Sequence, residues 1–231
     1  MQFLFQLGEV SHYIPMLLRA SVVNIELLFT LLVIGFFIGT LVALLQVYGG
    51  RIFATVAYVY EWIFRGIPAL VLLFLFYFGP SQFGWYISSF LAASLALGLR
   101  SSAYQSQIFR GAIQSIPTGQ MLAARALGMS RTRAILHVIL PQAFRLSIPG
   151  WSNEFASVVK DTTLAYAVGL NEIMRHAKII MDRRYELAMA AFIMVALIFL
   201  VFTYTGNWIL GRVERRVRIP GLQMPGTGVL S

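Results

Sequence analysis

Residues 187–211 read LAMAAFIMVALIFLVFTYTGNWILG and contain no Asp, Glu, Lys or Arg. An α-helix rises about 1.5 Å per residue and the hydrocarbon core of a bilayer is about 30 Å thick, so roughly 20 such residues cross it. This run is therefore a membrane-spanning helix. It passes directly into RVERRVR (Arg212–Arg218), a basic cluster of the kind that marks the cytoplasmic end of a span.

Working outward, four further apolar runs meet or approach the same length, which predicts spans at about 22–47, 52–78, 86–109, 144–168 and 187–211. The first contains GFFIG, which puts Gly35 and Gly39 on one helix face and lets another helix come close. The second ends at Gly79-Pro80, and the third starts at Trp85-Tyr86, aromatics suited to the membrane interface. Polar residues interrupt the fourth. The chain of 231 residues is 58% hydrophobic and 12% charged, with a mean hydropathy of +0.76, values that exclude an ordinary soluble domain. The fold class is all-α: a polytopic membrane protein with five transmembrane helices in one domain, residues 1–218, followed by a flexible Pro/Gly-rich tail at 219–231.

The net charge of +9 does not point to nucleic acid, because the basic residues sit at the ends of apolar runs. No cysteine is present, so disulfides and thiolate sites are excluded. The N-terminal segment lacks a basic n-region and a small-residue cleavage site, and reads as an interfacial lead-in rather than a cleaved signal. Five spans place RVERRVR, Arg51 and the loop holding Arg125, Arg131 and Arg133 on one side, the cytoplasm by the positive-inside rule. The loop from Asn171 to Glu186 then lies outside with Arg175, Lys178, Arg183 and Arg184, against that rule, offset in part by Glu172, Asp182 and Glu186.

Between spans three and four the chain reads GQMLAARALGMSRTRAILHVILPQAFR. Ala123-Ala124, three residues, Gly128, nine residues and Val138-Ile139-Leu140-Pro141 resemble the EAA motif of ABC importer permeases, with Leu122 in place of the usual Glu and Val138 in place of Ile. Small Ala123 and Ala124 permit close docking, Gly128 suits the left-handed turn that ends a helix, and Pro141 shapes the start of the next span. Three more stretches are similar to polar amino-acid permeases: YEWIFRGIP (60–68), AYQSQIFRG (103–111, with Gln107 in a usual Glu place) and PGWSNEFASVVKDTTL (149–164, with Thr163 for Ser). The chain is identified on these motifs as resembling the histidine/glutamine/arginine type of ABC permease, over about residues 20–208.

The resemblance implies a type I ABC importer permease-like fold, with a cytoplasmic coupling helix at about 119–128 that carries Ala123, Ala124, Arg125 and Gly128 onto an ATP-binding subunit. It implies transport of polar amino acids, basic ones among them, by alternating access, with an extracellular or periplasmic amino-acid-binding protein delivering substrate. Five spans are few for a path, so a second permease copy is expected, a homodimer first and a heterodimer as the other choice. This chain in the cytoplasmic membrane needs no cofactor of its own; ATP and Mg belong to the ATPase partner.

Ionisable groups inside a bilayer are costly and face a cavity or one another. Helix rise places Arg100 about 20 Å from the outer end of span three and Glu154 about 15 Å from the inner end of span four, both near mid-membrane. An amino acid needs a partner for its carboxylate and one for its ammonium. Arg100 then faces the carboxylate while Glu154, helped by Asn153, faces the ammonium or a basic side chain; alternatively Arg100 and Glu154 neutralise each other. Lys160 with Asp161 reads as a structural or gating pair. Glu61 and Arg65, four residues apart, read as a helical pair, and Gln107 joins this structural group.

His12, His137 and His176 show no metal-ligand spacing, and no HExxH, GxSxG or GxxxxGK[ST] occurs, which leaves enzyme readings without support. A passive channel or secondary amino-acid transporter remains the alternative: it needs no coupling helix and works without ATP.

Overall fold

The structure, a computed structural model, describes residues 2–217; the tail expected at 219–231 lies outside the described residues. In chain order the helices are α1 (Gln2–Ser11), α2 (Ile14–Tyr48), α3 (Gly50–Gly66), α4 (Ala69–Phe78), α5 (Ser89–Ser115), α6 (Thr118–Ala126), α7 (Arg131–Ala134), α8 (Leu140–Asp161), α9 (Ile173–Arg183) and α10 (Ala188–Val217). Among the described residues there is no strand.

α2 and the helix over Tyr185–Val217 are each long and apolar enough to cross a membrane alone. The run expected as an unbroken second span is broken instead. α3 and the segment that follows it meet at an angle of 100°. Pro68 is the cause: it bars Ile67 from helical geometry, and Ile67 stands extended at φ −83°, ψ 132°. The fourth span starts earlier than Phe144. Arg131–Ala134 leads through a π-helical turn at Ile135–Ile139, where Leu140 N–H bonds Ile135 O, and on into α8. A wide turn of this kind fits Pro141, which has no N–H to give.

Residues 171–186, expected as a basic outer loop, hold α9. Its Ile173, Ala177 and Ile180 are buried in a core with Leu17 and Ala20 of α2 and Ala190 and Ala191 of α10. Two of the four basic residues of this segment have acidic partners: Lys178 reaches Asp182 at 3.4 Å, and Arg184, just past α9, meets both Glu186 and Glu9. The basic residues that conflict with the positive-inside rule are thus partly neutralised within the fold.

Two further apolar cores fill the bundle at different heights. One gathers Leu27 and Leu31 of α2, Leu72 and Leu73 of α4, Leu97 of α5 and Val158 of α8. The other gathers Ala43 of α2, Phe109 and Ile113 of α5, and Leu140 and Leu146 of α8, against Met121 of α6. On α2, α5 and α8 small or polar residues are buried between these cores: Gly35 and Gly39, then Ser101, Ser102, Gln105 and Ser106, then Ser147 and Glu154. The helices therefore enclose a polar layer between two greasy ones. Gly35 and Gly39 make room for it: a Cβ on Gly35 would overlap the Gln105 amide, and one on Gly39 would lie 2.9 Å from the Ser102 carbonyl oxygen.

Candidate functional site: a polar layer inside the bundle

Glu61 projects from the polar face of α3 and is only 6% exposed. Its carboxylate accepts from Gln46 Nε2 at 2.7 Å, from Gln107 Nε2 at 2.5 Å and from Arg65 Nη1 at 3.2 Å. Arg110 Nη1 stands 3.7 Å away. A buried carboxylate needs this much company, since an unpaired charge in low dielectric is very costly. The Glu61–Arg65 pair and Gln107 thus belong to one cluster drawn from α2, α3 and α5. The sequence analysis does not single out Gln46 or Arg110, although each is a polar residue within or beside an apolar run and is open to the same test as Arg100.

Arg100 on α5 does not pair with Glu154. Its Nη1 lies 2.6 Å from Asp161 Oδ2 at the end of α8. The expected Lys160–Asp161 pair is not formed either; neighbours in a helix point about 100° apart, and Lys160 is exposed. The Tyr104 ring joins the two clusters: the guanidinium carbons of Arg100 and Arg65 lie 4.9 and 5.0 Å from its centroid, within cation–π range. The Nε atoms of both arginines are buried without an acceptor.

Glu154 is 9% exposed and has a single side-chain partner, Ser101 Oγ–H at 2.7 Å. Ser101 Oγ in turn accepts from Gln105 Nε2 at 3.2 Å, while Gln105 Oε1 accepts from the Trp151 indole N–H at 2.8 Å. Among the described residues Glu154 makes no ion pair. Asn153 is exposed on another face of α8. A buried carboxylate with no cation and an arginine with spare donors make a layer able to take a zwitterion: the first attracts an ammonium, the second a carboxylate.

α6 stands at the end of the bundle beside the lower core. Ala124 is buried against its own chain, Ala123 and Arg125 are exposed, and Arg125 Nη1 donates to Met129 O at 2.9 Å. Gly128 takes φ +81°, the left-handed turn that ends the helix. Leu122 and Leu127 are 68% and 82% exposed, an apolar surface outside the bundle. Two histidines far apart in sequence, His12 and His176, line a separate open cavity of about 510 Å³ with Arg19. Burial, then the charge of Arg175, pushes the His176 imidazole below its ordinary pKa. Among the described residues no His/Asp/Glu group has the make-up of a metal site.

Residues 32–219 match the family described as binding-protein-dependent transport system inner membrane component. The nopaline transport system permease protein NocM of Agrobacterium fabrum is 36% identical over 200 residues, 82% of this chain and 83% of the relative. The arginine ABC transporter permease protein ArtM of Haemophilus influenzae is 31% identical over 90% of this chain and 94% of its own length. A solved structure described as an amino acid ABC transporter with histidines superposes with a TM-score of 0.81 at 35% identity, over 90% of this chain and 97% of the other. The methionine ABC transporter MetNI, at 22% identity and a TM-score of 0.70 over 88% and 96%, shares the fold. The chain belongs to the binding-protein-dependent transport system inner membrane components, as a multi-pass amino-acid ABC permease subunit and not an enzyme.

Proposed function

We propose that this chain forms the path of an ATP-driven importer for polar amino acids, with a preference for those carrying a second positive charge. The observation that carries this reading is Glu154: a carboxylate between two apolar cores, bonded to one serine hydroxyl, while the nearby Arg100 is engaged by Asp161. Such a group is short of a cation, and an amino acid's ammonium or basic side chain supplies one. Arg100 receives the carboxylate through the donors Asp161 does not use, and Asn153 contributes where the path passes the exposed face of α8. Asp161, Lys160, Glu61, Arg65 and Gln107 act on gating or structure. Relatives named for arginine and for L-cystine favour recognition of the amino-acid head group.

The family implies separate ATPase subunits, which hold ATP and Mg, and a substrate-binding protein. The proposed docking element is α6 with Ala123, Arg125 and Gly128; Ala124 supports it from within. Leu122 and Leu127 make that contact more apolar than a glutamate at 122 would. Matches to both ArtM and ArtQ, two arginine permease proteins of Haemophilus influenzae, favour pairing with a related chain over pairing with a second copy.

Proteoliposomes holding this chain with its ATPase and binding protein test the reading. ATP-dependent uptake of arginine or another polar amino acid is expected. Flux through this chain alone, without ATP, would instead establish a channel or secondary transporter.

A further inference from the structure

A cleft of about 300 Å³ opens between α2, α5, α8 and α10, lined by Phe36, Phe109, Phe144, Trp151, Leu210 and Val213. Three of these rings, Phe36, Phe109 and Phe144, pack at centroid distances of 5.0 to 5.6 Å and form a firm apolar wall. The polar atoms nearby are already satisfied. The Trp151 indole N–H donates to Gln105, and Ser147 Oγ–H, also in the lining, donates to Phe144 O at 2.9 Å. Nothing in the cleft calls for water or a polar ligand, so an apolar occupant fits it.

The mouth differs from the interior. Val213 is exposed, and the turns around it carry Arg212, Arg215 and Arg216, all exposed, against the single acid Glu214. Arg212 lies over the Trp208 ring at 3.8 Å, an aromatic and cation pairing suited to the headgroup region. The positive-inside rule puts this end of α10 at the cytoplasmic leaflet, where anionic lipids gather. We infer that the cleft holds an acyl chain of an anionic phospholipid whose phosphate is bound by Arg212 and Arg216 at the end of α10. An apolar slot that ends beside the arginines of the same helix terminus matches the two halves of such a molecule.

Native mass spectrometry of the full chain in detergent tests this, with dioleoylphosphatidylglycerol, dioleoylphosphatidylcholine and glycerol phosphate as probes. The anionic lipid is expected to be retained over the zwitterionic one, with about fivefold lost for each of Arg212→Gln and Arg216→Gln. Val213→Trp, which blocks the mouth from an exposed position, is expected to abolish retention of the anionic lipid while the lipid-free melting temperature stays near the parent's. If Val213→Trp does not fold, Leu210→Phe takes its place. Equal retention of the two lipids would overturn the inference. So would displacement of the phosphatidylglycerol by glycerol phosphate, which would reveal a phosphate site without a chain. Loss of chain–chain association in Val213→Trp with lipid retention intact would show a subunit interface and overturn it as well.

Discussion

Glu61 and Glu154 are both carboxylates inside the bundle, buried to nearly the same degree, yet their surroundings are opposite. Glu61 has two amides on it and two guanidiniums within 3.7 Å; Glu154 has one hydroxyl. The first is closed, with each oxygen held by groups from neighbouring helices. Among the described residues the second makes no ion pair, which is the ground on which we propose it for a substrate's positive charge. Burial alone therefore does not separate a structural carboxylate from a binding one; the number and charge of its partners does.

The largest expected effect that can break this comparison is on stability. Glu61→Ala strands Arg65 and Arg110 in the bundle and is expected to cost about 3–5 kcal/mol, while Glu154→Ala removes one hydroxyl's acceptor and costs about 1 kcal/mol. Denaturant titration of the two variants in micelles checks the difference, and equal losses would erase the distinction. Next comes the room made for the layer. Gly39→Leu forces a side chain against the Ser102 carbonyl and is expected to destabilise by about 1–3 kcal/mol, read from the same titration. The smallest effect belongs to a pair outside the layer: Lys178→Gln, at a solvent-exposed bridge, is expected to change stability by less than about 1 kcal/mol.

How far the sequence leads depends on what kind of quantity is being read. Apolar length is additive, so the stretches that become α2 and α10 are visible by counting. Direction is not additive: the run 52–78 sums to one span, and only Pro68 shows that its two halves part at 100°. Height along a helix is legible too, since rise per residue puts Arg100 and Glu154 well inside their runs, and both lie between two apolar cores of the bundle. Azimuth and the offset between neighbouring helices are not. Glu154 and Asp161, seven residues apart, share one face of α8 about two turns from each other, so which of them Arg100 meets depends on how α5 and α8 slide and cross. The same limit hid the inward face of Ala124, and the charges of α9 disguised an amphipathic helix as a loop. The sequence marks Gly35 and Gly39 as a close approach between helices; what they accommodate, Gln105 and Ser102, is fixed by the packing.

The most direct test of the account is uptake by Glu154→Gln in proteoliposomes with the ATPase and binding protein, set beside its melting temperature. The account predicts a KM for arginine raised about tenfold or more, equivalent to about 1.4 kcal/mol, with the fold intact. An unchanged KM would contradict it, and Glu154 would join Glu61 as part of the framework.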